Sequence, residues 1–403
     1  MTKEDSSKLF ALTKQKLVFP LDETFGLDKL PFKMSVSAML EVAYLVQKIP
    51  SFKGAEEEIK RTTQIITSSE TIRNIANNIG KLIFEKDQQD ANEAWDLLES
   101  GKLMFPEKKK PHILYIETDG AMLHVRKPVD KEKSDDDSII KSPWMENKLG
   151  MVFSTDNFKK INNEKGEEEA RLGKREYIAY LGSAEEFKKH LWALALRNGY
   201  GTYGKTILLS DGASWIKYMK EELFPDSQHI LDYCHLSENI STFAKDIFDN
   251  IDIKYKPWAK AMKSLIIEGR YQEVLTELKG ISSRQLSKSS INLTNYITNN
   301  KYNIDYTTYR KNGWIIGSGG IESANRTVLQ QRLKQTGMRW NVENGQYILS
   351  LMAKSKSNLW NVVNEIVKNK YEIESALEAL GARNYTPSYV RDSHQNLWDS
   401  HQY

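Results

Sequence analysis

Apolar positions recur at two different spacings along this chain, and the change of spacing divides it. Over residues 35–49, "SVSAMLEVAYLVQKI" sets Met39, Leu40, Val42, Ala43 and Val46 at helical spacing. The stretch "EEEIKRTTQIITSSETIRNIANNIGKLI" (56–83) then predicts two short amphipathic helices parted by "TSS". Ser69 is the expected N-cap of the second, and Ile72, Ile75, Ile79 and Leu82 its buried stripe. Two short helices around a tight polar turn have the outline of a helix-turn-helix, and equally of a plain helical hairpin. Prolines around a basic run in "FPEKKKP" (105–111) mark a boundary, and beyond it the pattern shortens to strands.

Strands are predicted at "HILYIETD" (112–119), "LGMVFST" (149–155) and "REYIAYLG" (175–182), with a charged loop at 129–138 between the first two. A helix over 184–199 ends at Gly199. A fourth strand, "KTILLSD" (205–211), precedes a helix through Trp215, Tyr218, Met219 and Leu223. A fifth strand, "HILDYCH" (229–235), leads into a helix over about 236–248. Three strands followed by strand–helix alternation is an α/β pattern, a meander extended in parallel. It is the order of an RNase H-like mixed sheet.

From 252 to 310 the strand signals vanish, and Trp258, Met262, Leu265 and Ile266 recur at helical spacing. Glycines then open "GWIIGSGGIESANRTVLQQRLKQTGMRW" (313–340), which is expected to continue as a helix carrying Glu322, Ala324, Val328, Leu329 and Leu333. The expected divisions are a helical N-terminal region over 1–108, a first catalytic part over 109–251 and an all-helical insertion over 252–310. The end of the catalytic domain over 311–345 and C-terminal helices with a loose tail over 346–403 complete the chain.

Two apolar strands end on Asp-Gly, at Asp119-Gly120 and Asp211-Gly212. A turn residue is the simpler account of either one alone. In an RNase H-like sheet, however, the first and fourth strands are neighbours, so the two carboxylates would meet. Glu322 would join them from the helix after the glycine-rich turn, where Gly317, Gly319 and Gly320 allow close approach. Three packed carboxylates raise one another's pKa, and a divalent cation removes that cost. Oxygen donors of this type suit Mg²⁺ or Mn²⁺, and two ions about 4 Å apart serve phosphodiester chemistry.

These stretches carry a resemblance. "YIETDGAML", "LLSDGASWI", "HILDYCHL" and "GSGGIESANRTVLQQRLKQTGMRW" resemble the DDE transposases of bacterial insertion sequences, in the branch related to Mutator-like elements. The likeness runs from about residue 18 to about 370 and includes the Asp-x-x-His signature at Asp232 and His235. It implies Asp119, Asp211 and Glu322 as the catalytic, metal-binding triad, with His235, counted as catalytic, and Asp232 beside the active site, contacting DNA or orienting a reacting group. The implied activity is metal-dependent strand cleavage and 3′-OH strand transfer on double-stranded DNA, by a homo-oligomer assembled on element ends and target. The alternatives are an RNase H-fold nuclease without transposition and a non-catalytic DNA-binding protein derived from a transposase. Relatives of this kind often carry more N-terminal sequence, sometimes with paired cysteines, and here Cys234 is the only cysteine. Along the helix from Glu322, Arg332, Lys334 and Arg339 are expected to contact the DNA backbone, with Trp340 packing on the core. His112, His124, His190 and His229 are read as structural.

Charge sharpens the partner. The net charge is only +3, but residues 251–370 hold 19 Lys and Arg against 8 Asp and Glu, an excess of +11. The rest of the chain therefore carries −8. A basic segment of this size suits a polyanion such as nucleic acid, or is a solvated helical surface. With one cysteine, no disulfide framework forms. No run of about 18 apolar residues is present, so no membrane span is expected. A cytoplasmic protein, nucleoid-associated when bound to DNA, is the expectation.

Overall fold

Helix α1 (Val36–Lys48) begins where the Ser35 hydroxyl accepts from the Ala38 amide, and it buries Met39, Leu40, Val42, Ala43 and Val46. Helix α2 (Phe52–Thr62) is capped in the same way by Ser51. Helix α3 (Ser69–Glu99) is not short: it runs for 31 residues. Its cap is Ser68 rather than Ser69, because the Ser68 hydroxyl accepts from Thr71 and its carbonyl from Ile72. The computed structural model describes residues 26–63, 65–107, 109–126, 143–162, 168–171 and 173–379. The charged loop expected at 129–138 and the tail beyond 379 lie outside the described residues.

The chain divides into two compact units, and the division falls inside α3. One unit takes residues up to Leu82 together with a C-terminal helix, α14 (Trp360–Ala379). Within it, Ile72, Ile75, Ala76 and Ile79 of α3 are fully buried, as is the α1 stripe. The other unit spans Ile83–Leu359. The second half of α3 belongs to the core of the sheet. Ala94 is buried there, Trp95 and Leu98 pack against it, and the Trp192 indole donates to the Ala94 carbonyl at 3.0 Å.

The larger unit is a mixed α/β layer structure. Its sheet contains β1 (Lys110–His124), β2 (Trp144–Ser154), β5 (Arg175–Leu181), β6 (Tyr203–Ser210) and β7 (Gln228–Leu231). Their order is β5-β2-β1-β6-β7. β2 is antiparallel to β1 and β5, while β6 and β7 extend the sheet in parallel. A separate two-stranded ribbon, β3 (Lys159–Asn162) with β4 (Glu168–Arg171), leaves between β2 and β5. The sequence pattern did not announce it, since "KKIN" and "EEAR" alternate no apolar residues.

Period-2 alternation gives the sheet two different faces. Leu114, Ile116, Val152, Ile178 and Leu208 point to one, where α4 (Ala184–Arg197) and α5 (Ser214–Leu223) cover them with Phe187, Leu191, Trp192, Ile216 and Met219. Tyr115, Glu117 and Asp119 alternate to the other. There α13 (Val342–Lys356) lies along the edge strand β5. Gln346 accepts from the Leu181 amide at 2.7 Å and donates to the Ala179 carbonyl at 3.0 Å, and the Ser357 hydroxyl accepts from the Tyr177 amide. These bonds satisfy edge groups that would otherwise be open to pairing.

After β7 come α6 (Tyr233–Ile247), α7 (Asp252–Ile267), α8 (Tyr271–Lys279), α9 (Ser283–Leu286), α10 (Leu293–Asn299) and α11 (Tyr306–Lys311). All described elements from 252 to 311 are helical. α12 (Gly319–Ala324) then returns the chain to the sheet and loosens into a π-helical stretch, Asn325–Gln330. Among the described residues no helix is long and apolar enough to cross a membrane.

Candidate active site

Register places Asp119 beside Asp211. The last parallel pair of β1 with β6 is Glu117 with Leu209. Two residues further along each chain stand Asp119 and Asp211, on strands that run about 4.8 Å apart. Asp211 follows the end of its strand as expected. Asp119 does not close β1, which runs on to His124 because β2 pairs with it as far as Trp144. Asp119 instead marks the point where β6 leaves β1.

Local bonds then aim the two carboxylates. One Asp119 oxygen accepts from the Gly120 amide at 2.8 Å and the other from the Asn325 side chain at 2.6 Å. An Asp211 oxygen accepts from the Ala213 amide at 2.9 Å, closing a turn through Gly212 at φ +83°. The Tyr296 hydroxyl, from α10, donates to the Asp211 carbonyl at 2.7 Å. Burial pushes the Asp119 carboxyl up, and the Asp211 charge adds to that push against the Gly120 amide, His235 and Asn325.

Glu322 is exposed in the first turn of α12, with a carboxylate oxygen 3.4 Å from the Ser318 hydroxyl oxygen. Potential ligand atoms of Glu322, Asp232 and His235 all lie within 4.8 Å of one another. His235 is the common neighbour of the acidic groups. Its hydrogen bond to Asp232 raises its pKa to about 9 against the effect of burial, and the charges of Asp232, Asp119 and Asp211 add to the rise.

Asp232 and His235 stand at the start of α6, not at the end of a strand. β7 stops at Leu231 because Asp232 turns the chain: its carboxylate caps α6 by accepting from the Cys234 and His235 amides, each at 3.0 Å. The same carboxylate accepts from the Ser318 amide and hydroxyl at 2.8 and 2.6 Å and from the His235 imidazole. Five donors occupy two oxygens with about four lone-pair sites. Asp232 is also fully buried. It is therefore a clamp that orients His235 and Ser318, and with its lone pairs occupied it is a poor metal ligand despite its closeness to Glu322. Burial would raise its pKa, but the donors from His235 and Ser318 hold it below the usual carboxylate range.

Sequence reasoning missed Glu117. It shares a sheet face with Asp119, is 1% exposed, and accepts from the Ile321 amide in α12 at 2.9 Å. Burial, aided by the Asp232 and Glu322 charges, lifts its carboxyl to about 8 against that amide bond. Asn325 was missed as well. The π-helical stretch presents its side chain to Asp119, and its buried Oδ1 has no hydrogen-bond donor among the described residues. Such a stretch recurs at functional sites, but nothing in "ESANRT" signals it.

The chain belongs to Uncharacterised protein family (UPF0236), whose model it matches over residues 10–370. No curated protein matches it.

In this UPF0236 chain the expected cations separate. Lys334 and Arg339 are exposed. Arg332 is 1% exposed, with its guanidinium 5.7 Å over the Trp340 ring. Burial pushes its pKa down to about 10. The helix ends at Leu333, and Arg339 lies beyond it, where Trp340 makes a parallel bridge to Val125. Trp340 itself packs inward, and its indole donates to the Leu333 carbonyl at 2.9 Å. His190 and His229 are buried, with pKa values pushed down by burial.

Asp119, Asp211 and Glu322 offer hard oxygen donors, and the Asp211 charge adds to the upward push on Asp119, of which burial is the larger cause. A divalent cation would offset that repulsion, so the donor set fits one.

Proposed function

We propose that this chain is a DDE transposase that cuts DNA at element ends and joins the exposed 3′-OH to target DNA. The observation that carries the reading is His235 among three carboxylates, two from adjacent strands in register and one from a returning helix. The strand order, with one antiparallel neighbour of β1 and two parallel strands beyond, supports assigning the sheet to the RNase H-like type. The fit of the motif stretches to Mutator-like relatives supports it independently.

Asp119, Asp211 and Glu322 would hold Mg²⁺ or Mn²⁺, two ions in the full site. Such ions activate a hydroxyl nucleophile and stabilise the leaving oxygen. The chain's own groups do the rest. Asp232 fixes the imidazole of His235 through Nδ1 and leaves Nε2 for the site. A protonated imidazole there offers a donor to a non-bridging phosphate oxygen. Glu117 and Asp232 fasten the start of α12 to the sheet and so hold Glu322 in place. Lys334 and Arg339 are exposed and available to phosphates.

The test uses the purified protein with Mg²⁺ and duplexes carrying the repeats that flank its coding sequence. Nicking at the repeat end and joined products with a target duplex are expected. Asp119→Asn, Asp211→Asn and Glu322→Gln should each lower cleavage by at least about 10³-fold, the scale on which catalytic electrostatic groups act. Cutting without joining would assign a nuclease, and metal-independent DNA binding without cutting would assign a DNA-binding protein.

A further inference from the structure

We propose that the groove between α6 and α7 binds the sugar–phosphate backbone of duplex DNA through Lys256, Lys260 and Lys263. The choice of DNA as the polyanion rests on the reading above. The groove encloses about 460 Å³ and begins at Tyr233, the residue after Asp232. It runs along α7 past Ser264, Lys263, Lys260 and Lys256.

The spacing of the lysines is the first argument. Positions 256, 260, 263 and 267 follow at four, three and four residues, which is one face of a helix. The adjoining side of α7, about 100° around the helix, buries Met262 and Ile266, with Ala259 at the groove wall. Seven residues of rise set Lys256 and Lys263 about 10 Å apart, the axial length of about three phosphates on one strand.

The second argument is that two of these three cations stand outside any ion pair. Among the described residues neither Lys260 nor Lys263 has an acidic group within ion-pair distance. Lys263 is half-buried, and burial lowers its pKa. The Lys245 charge adds to that effect, while Glu238 opposes it. Lys245 itself sits 5.9 Å over the Tyr255 ring at the far end of the groove. Lys256 pairs with Asp252 at 2.5 Å, but that pair is exposed on both sides and exchanges readily for a phosphate. Like charges held together in a concave site favour a bound anion, whereas a merely solvated face would spread them.

Hydroxyls complete the chemistry. Tyr233, Ser241, Tyr255 and Ser264 line the same groove. Lys, Ser and Tyr donors to phosphate oxygens fix orientation on a duplex and read no sequence. The groove therefore tracks the backbone away from the acidic site.

The experiment measures anisotropy of a labelled 30-base-pair duplex of arbitrary sequence against salt, in EDTA, so that no cutting contributes. Wild-type chain is compared with the Lys256→Gln/Lys260→Gln/Lys263→Gln variant. The expected result is a salt dependence shallower by about 2.7 units of slope, three contacts at about 0.9 each. Replacement of the same three by Arg should restore the slope. A control that removes three other lysines of the insertion, Lys279, Lys301 and Lys311, should leave it within one unit. Circular dichroism and Tm confirm that each variant is folded. An unchanged slope in the folded Gln variant, or an equal loss in the control, overturns the proposal. So does a wild-type chain that binds phosphatidylserine vesicles but no duplex. Loss of slope in a chain that cuts no DNA under any metal would keep the groove and reject the transposase.

Discussion

At the scale of single residues, the site is built from side chains that share one face of β1. Tyr115, Glu117 and Asp119 alternate toward α12. Asp119 was legible because it ends an apolar run before glycine. Glu117 carried the same period-2 signal but was hidden inside "ILYIETD", where a buried carboxyl is unexpected without its partner in view. Its raised pKa, about 8, leaves it mostly uncharged at pH 7, so Gln is its near isostere. Glu117→Gln should change stability by less than about 1 kcal/mol at pH 7, since an amide carbonyl can accept from Ile321. Glu117→Ala leaves that amide unpaired above a cavity and should cost about 2–4 kcal/mol. Denaturant midpoints separate the two outcomes, and equal losses would show that Glu117 contributes only volume. Gly320 is the matching constraint on α12. A Cβ there would stand 2.6 Å from the Met151 methyl and 3.0 Å from a Glu117 oxygen. Met151 can move aside, but Glu117 is pinned, so Gly320→Ala should lower stability by about 1–2 kcal/mol. A rise in Tm would mean that α12 has room the geometry does not show.

At the scale of elements, the strand-to-helix step at Asp232 decides where the site's histidine stands. The sequence pattern extended the fifth strand through His235 because "HILDYCH" has no glycine or proline to stop it. A carboxylate cap stops it instead, and caps are ambiguous in a single sequence, since Asp also ends strands and starts turns. The same limit applies to α12, whose π-helical stretch and early end at Leu333 displaced Arg339 from the helix. Burial of Arg332 was equally illegible, because its partner Trp340 comes from beyond the helix end. The cap is testable. His235 is held at about 9 first by its bond to Asp232. Its folded pKa thus lies above the unfolded value near 6.5. The stabilisation it contributes is full below about 6.5 and is lost as pH rises through 9. Asp232→Asn keeps one acceptor for the cap but removes the charge, so the His235 titration followed by NMR should move down by more than one unit. Asp232→Ala should also lose about 1–2 kcal/mol as the cap disappears. A His235 titration unmoved in Asp232→Asn would assign its pKa to the other carboxylates.

At the scale of the whole molecule, what the sequence made legible was the alternation of element types and the concentration of positive charge after residue 251. Both are sums over many positions and survive local errors. The division inside α3 was not legible, because one uninterrupted helix supplies buried residues to two units and its single glycine, Gly80, stays helical across the change. Connections between the sheet and the helical insertion were also hidden, and His229 makes one of them. Its ring lies between the Ser210 hydroxyl at 2.9 Å and the Asn303 side chain at 3.2 Å, joining β6, β7 and the segment before α11. With Nδ1 accepting from Asn303, Nε2 carries the proton and faces Ser210. Burial, with Lys220 and Lys217 nearby, lowers its pKa to about 4. The folded value lies below the unfolded value near 6.5, so between them the unfolded chain binds the extra proton. The stability that depends on neutral His229 is full above about 6.5 and falls as pH drops toward 4. Over that window the loss is on the order of 2–3 kcal/mol. Urea unfolding from pH 7.5 to 4.5 should show wild-type chain losing about 2 kcal/mol more than His229→Gln, even though the variant starts lower. Parallel curves for the two chains would mean that the ring is solvated when the sheet and the insertion are folded together, and the join at Asn303 would then lie open to water.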